Sequence, residues 1–145
     1  MQTRLLILVA LVLIVVPIGF FYYMSINGFS IHHAGIYVQL LSEQQIEHFA
    51  VSEPKTITQE ELMQFPQISI MINLLLEEKE NPQGTRSFFV NFDTYRIFDS
   101  RGELKIKNHM SDSGARNLYQ DFTQSFESNV VVYEGNYFSI TSWIA

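Results

Sequence analysis

Hydrophobic and polar positions are spread unevenly along this chain. From Leu5 to Met24 (LLILVALVLIVVPIGFFYYM) there is no charge and nothing more polar than Tyr22 and Tyr23. Beyond it the apolar residues come in short runs and helical repeats separated by polar turns. The first pattern predicts one helix of roughly 30 Å, the thickness of a bilayer's hydrocarbon. In lipid such a run must satisfy its own backbone N–H and C=O groups, which a helix does. The second pattern predicts one small α+β domain. Residues 1–26 are therefore expected to form a membrane anchor spanning about 5–24, and residues 27–145 an exported domain.

Taken in order, Asn27-Gly28 predicts a turn that releases the chain from the anchor. Gly35–Leu41 (GIYVQLL) and Ile46–Val51 (IEHFAV) suit short strands, with Ser42-Glu43-Gln44-Gln45 as a hairpin loop. A rival reading starts a helix at Ser42, because Ser42 and Gln45 fit a capping box. Ser52-Glu53-Pro54-Lys55 reads as a linker. Thr58-Gln59-Glu60-Glu61 is the clearest helix start, with both acids at the positive end of the helix dipole. Pro66 cannot donate to the Leu62 carbonyl, so it divides this segment into a short turn, Gln59–Phe65, and a second helix from Pro66 to about Lys79. Leu62, Phe65, Ile68, Ile72, Leu75 and Leu76 fall on one face of it. Asn81-Pro82-Gln83-Gly84 ends it.

Ser87–Phe92 predicts a strand, and Thr94–Phe98 with Glu103–Lys107 a hairpin around Asp99-Ser100-Arg101-Gly102. Ser111-Asp112-Ser113-Gly114 opens a helix along which Ala115, Leu118, Tyr119, Phe122 and Phe126 recur at three- and four-residue intervals, until Asn129. Val130–Glu134 and Tyr137–Trp143 flank Gly135-Asn136 as a terminal hairpin. The sum is an antiparallel or mixed sheet of five to seven strands with two helical segments on one face.

Charge orients the anchor. Arg4 precedes the run and no Lys or Arg follows it until Lys55, so the amino terminus is expected in the cytoplasm and the domain outside. A cleaved signal peptide with Leu5–Val16 as its core is the competing reading. Phe20-Phe21-Tyr22-Tyr23-Met24 lacks the small residues that cleavage needs. All fifteen acidic residues but only eight of the nine basic ones lie beyond the run, leaving the domain near −7. Without a visible Lys/Arg cluster, such a domain is expected to be a poor nucleic-acid binder and to be repelled by anionic lipid headgroups. The chain has no Cys, which excludes disulfides, thiolate catalysis and Cys-ligated metal sites.

Ile57-Thr58-Gln59-Glu60-Glu61-Leu62-Met63-Gln64-Phe65-Pro66, followed by an apolar helix, and Tyr133-Glu134-Gly135-Asn136-Tyr137-Phe138-Ser139-Ile140 resemble two elements of small archaeal membrane-anchored exported proteins. Those carry a Thr-x-Glu-Glu/Asp-Leu-x-x-Tyr/Phe-Pro helix start and a Tyr-x-Gly-x-Tyr-Tyr-x-Ile strand pair. Phe138 here replaces a Tyr. The resemblance implies an anchored α+β domain and carries over no catalytic residue.

Candidate chemistry is sparse. His32-His33, His48 and His109 can supply metal ligands only if they converge, since adjacent strand residues face opposite ways. Glu77-Glu78-Lys79-Glu80 offers paired carboxylates but reads as a solvated run at a helix end. No Gly-x-Ser-x-Gly elbow or phosphate-cradling Gly-rich loop occurs. No catalytic, cofactor-binding or metal residue is assigned, and no cofactor. Tyr133, Tyr137, Phe138 and Trp143 on the terminal hairpin are the candidate partner-binding patch. The expectation is a membrane-tethered extracytoplasmic binding or interaction module, partnered by the bilayer and an envelope protein and not by nucleic acid. The alternative is a small membrane-bound hydrolase or metal-dependent enzyme using His48, His109 and loop acids.

Overall fold

The computed structural model describes residues 13–19, 22, 34–50, 52–91, 93–100 and 103–145. Residues 13–19 are helical and, like Tyr22, exposed. Among the described residues no helix is long and apolar enough to cross a membrane. The rest of the expected span, the Asn27-Gly28 turn and the His32-His33 pair lie outside the described residues.

Seven strands form one mixed sheet: β1 (Ala34–Leu41), β2 (Lys55–Thr56), β3 (Arg86–Val90), β4 (Asp93–Ser100), β5 (Glu103–Asn108), β6 (Val130–Tyr133) and β7 (Asn136–Ile144). Their order is β2-β6-β7-β1-β5-β4-β3, and every pair is antiparallel except β2 with β6. Helices α1 (Glu43–Phe49), α2 (Gln59–Met63), α3 (Pro66–Glu80) and α4 (Asp112–Phe126) complete the domain. The α+β class and the sheet size agree with the sequence reading.

The core follows from strand alternation. Ile36 and Val38 of β1, Ile97 of β4, Ile106 of β5 and Phe138 and Ile140 of β7 are all fully buried. They form one cluster with Ile68, Met71, Ile72 and Leu75 of α3 and Phe122 of α4. Both long helices therefore cover the same side of the sheet. Phe65, Phe122 and Phe126 lock α4 to the α2–α3 corner, with ring centroids 4.9 to 5.7 Å apart. Edge-to-face rings at this spacing are worth about 0.5–1.5 kcal/mol per pair beyond burial.

Local signals explain the helix starts. The Glu61 amide donates to Thr58 Oγ1 at 3.2 Å and the Thr58 amide donates to Glu61 at 2.7 Å, as a capping box requires. Those bonds hold the Glu61 carboxyl below its ordinary value. Pro66 stands in the first turn of α3, where its missing N–H costs nothing.

Three expectations are corrected. Ile46–Phe49 is helical, not a strand: Ser42 caps α1, its amide donating to Gln45 Oε1 at 3.0 Å. No hairpin partner can join β1 there because β5 and β7 already occupy both its edges. The terminal turn is centred on Glu134-Gly135, with φ of 48° and 73°, and Asn136 begins β7 instead. Two positive φ values suit a turn whose twist matches the flanking strands. The Ser52–Lys55 linker also ends in a strand, since Lys55 and Thr56 pair with β6.

Candidate functional site

Helices cover one face of the sheet; the other carries charge and rings. Strand pairing sets it out in rows. Arg96 of β4 lies directly opposite Lys107 of β5, and Lys107 opposite Tyr37 of β1. The neighbouring row holds Phe98 opposite Lys105, and on the other side Gly35 of β1 faces Trp143 of β7. Because side chains alternate, these residues all project away from Ile36, Val38, Ile97 and Ile106.

Rings hold the cations in place. The Arg96 guanidinium lies 4.9 Å from the Phe98 ring centroid. The Lys107 ammonium sits between Phe98 at 5.6 Å and Trp143 at 4.9 Å. Tyr37 stacks beside Phe98 at 6.3 Å with their planes 13° apart. Burial against these rings, with Arg96 nearby, pushes the Lys107 ammonium below its ordinary pKa. Burial also raises the Tyr37 phenol, which Lys105 opposes and Glu103 reinforces. Lys105 is ion-paired with Glu103, whereas Arg96 and Lys107 have no carboxylate partner among the described residues. Like charges directly opposite across a ladder destabilise it. The arrangement is suited to an anion.

Trp143 reaches Lys107 because Gly35 lacks a side chain. The indole N–H donates to the Asn108 carbonyl at 3.2 Å, across the space above Gly35. A Cβ there would stand 2.0 Å from that carbonyl oxygen and 2.7 Å from the indole nitrogen. The β1–β5 ladder is irregular here, with the Ile36 amide donating to Asn108 Oδ1 at 2.8 Å.

The structure separates the four expected patch residues. Phe138 is fully enclosed and Tyr133 is 8% exposed, both in the core beneath the helices. Tyr137 and Trp143 are half-buried and project from the opposite face. The sequence reading missed Arg96, Phe98, Lys107 and Tyr37 as one surface. Their signal was the alternation Arg96-x-Phe98 and Lys105-x-Lys107 in a predicted hairpin, which puts one face of charge and rings opposite one of Ile97 and Ile106. The premise that the domain lacks a Lys/Arg cluster is corrected accordingly.

The two described histidines do not converge. His48 is exposed on α1, beyond the carboxyl end of β1. His109 packs edge-on against Trp143 at 5.0 Å, beside the other end of β1. The two are separated by most of a strand, roughly 20 Å. Among the described residues no three His, Asp or Glu side chains gather as a metal site. Glu78, expected in a solvated run, is 1% exposed. Its carboxylate accepts from the amides of Gln83 at 2.6 Å and Gly84 at 2.8 Å, and pairs with Arg86. That is a structural duty, closing the loop after α3. An open depression of about 330 Å³ lies between Ser52, Tyr119, Thr123, Glu127, Ser128 and Asn129. Its Ser and Thr hydroxyls and its Asn amide are committed to backbone carbonyls: Ser52 to Glu127, Thr123 to Tyr119, Ser128 to Val130 and Asn129 to Phe49.

Compared with protein families, characterised proteins and solved structures, the chain matched none.

Proposed function

We propose that this protein is a membrane-tethered, extracytoplasmic binding module that acts by recognition and not by catalysis. The observation that carries this reading is the Arg96–Lys107 pair, held on Phe98 and Trp143 on the sheet face opposite the helices. Cations restrained by rings lose little further freedom when they bind, which favours recognition. The tether rests on the uncharged Leu5–Met24 run. The exposure of its described apolar side chains, from Leu13 at 67% to Ile18 at 64%, supports it. Outward orientation rests on Arg4 ahead of the run and the absence of Lys or Arg before Lys55.

Protease digestion of intact, wall-stripped cells tests topology and tether together. The expected result is loss of the domain to external protease, with the chain staying in membranes through an alkaline wash. A protected domain would reverse the orientation. Recovery of the chain in the detergent-free soluble fraction would remove the tether.

A further inference from the structure

The charged face lies close to the end of the sheet where β1 begins, and that end is also apolar. Ile144, the partner of Ala34, is 60% exposed, and Phe89 of β3 is 54% exposed. Trp143, beside Ile144 on β7, lies on the open face opposite Gly35. Arg96 and Lys107 lie one side-chain row farther along the strands, about 7 Å behind. An apolar and aromatic tip with cations one row back matches the layering of a membrane interface, where rings sit at the acyl boundary and Lys or Arg meets phosphate. From Met24 to Ala34 the chain can span at most about 35 Å even fully extended. Tethered by Leu5–Met24, the domain is thus confined near the bilayer, and β1 begins at the sheet end bearing Trp143.

We propose that this sheet end docks on the domain's own membrane, with Arg96 and Lys107 binding the phosphates of anionic lipid headgroups and Trp143, Phe89 and Ile144 entering the interface. This deepens the binding reading and rests on it. The domain's overall negative charge does not forbid the contact, because exposed charges beyond about 10 Å are largely screened at physiological ionic strength. Asp93, the acid nearest this end of β4, alternates to the helix-covered side with Tyr95. Docking also answers the like-charge pair, since a phosphate between Arg96 and Lys107 replaces repulsion with two attractions.

The test uses the full chain, whose only tryptophan is Trp143. It is reconstituted with vesicles of phosphatidylcholine alone or with phosphatidylglycerol as a minority component. The expected result is that the chain floats with both. Trp143 emission then shifts to the blue, and is quenched by brominated acyl chains, only in the anionic vesicles. Each cation is worth about fivefold in the ratio of docked to undocked domain, so R96Q with K107Q lowers it about 30-fold. High salt should release Trp143 in the parent chain without any substitution. Equal emission in both vesicle types, or a double variant with the parent's emission, urea midpoint and quenching, overturns the proposal. A thymidine oligonucleotide that quenches Trp143 where anionic vesicles do not would reassign the face to nucleic acid and overturn it too. A chain that floats only with anionic vesicles, with Trp143 responding, supports docking while removing the tether.

Discussion

Replacing Gly35 with Ala strikes the joint between the sheet and its charged face. The new Cβ would stand 2.0 Å from the Asn108 carbonyl oxygen, where ordinary contact begins at 3.4 Å. Relief must move backbone, because the obstructing atom is not the end of a flexible side chain. That movement breaks the Trp143–Asn108 bond of 3.2 Å and the Ile36–Asn108 bond of 2.8 Å. Overpacking of this kind costs about 1–3 kcal/mol. The two hydrogen bonds add about 1 kcal/mol each. Losing the Lys107–Trp143 contact adds about 0.5 kcal/mol at a half-exposed site. Against this, Ala restricts the unfolded chain and recovers about 0.5–1 kcal/mol. The net is a destabilisation of roughly 4 kcal/mol. With a urea slope of about 1.5 kcal/mol/M, the unfolding midpoint should fall by about 2.5 M. Trp143 emission in detergent-solubilised protein follows both unfolding and the ring's departure from Lys107. A variant with the parent's midpoint and the parent's native emission would refute the reasoning.

Two further substitutions test groups buried away from that face. Burial opposes ionisation of Glu78, but the amides of Gln83 and Gly84 and the Arg86 guanidinium outweigh it and hold the carboxyl below its ordinary 4.5. Its native pKa is thus depressed, so its contribution is fully present above pH 4.5 and is lost as pH falls through the native value. E78Q should cost about 2 kcal/mol at neutral pH, and its urea midpoint should converge on the parent's in acid; a gap that is constant with pH would contradict this. The Tyr95 hydroxyl is buried with no hydrogen-bond partner among the described residues, and burial, with Asp93, pushes its phenol up to about 12. Y95F should therefore be neutral or stabilising by up to about 1 kcal/mol. A clear loss of midpoint would show that the hydroxyl has a partner.

What the sequence revealed depended on how local each signal was. The Thr58–Glu61 box and the Pro66 break are complete within a few residues, and both stand where expected. Ser42–Gln45 carried two local meanings, loop and cap, and only the occupancy of both edges of β1 decides between them. The terminal hairpin was legible as strands, yet its turn sits one residue earlier because Glu134 accepts a positive φ beside Gly135. Glu78 looked solvated because its partners come from a loop that curls back to bring Arg86 over it. Arg96 and Lys107 stand on one predicted hairpin, but only the β4–β5 register sets them directly opposite each other. Tyr133 and Phe138 went the other way, since one inward-facing strand position is enough to bury a ring that composition alone makes available.

The place of β1 in the sheet has a consequence for biosynthesis. It is the first of the described strands to be made, yet it lies centrally, between β5 and β7, and β7 is the last of them. Ile36 and Val38 therefore wait for a covered ladder until almost the whole domain has left the ribosome. Pairings so remote along the chain close slowly, because loop entropy is met before the contacts that reward it. A nascent chain halted before Tyr137 would display an open edge on a strand that the finished domain buries almost entirely, the form most prone to aggregate or to be degraded.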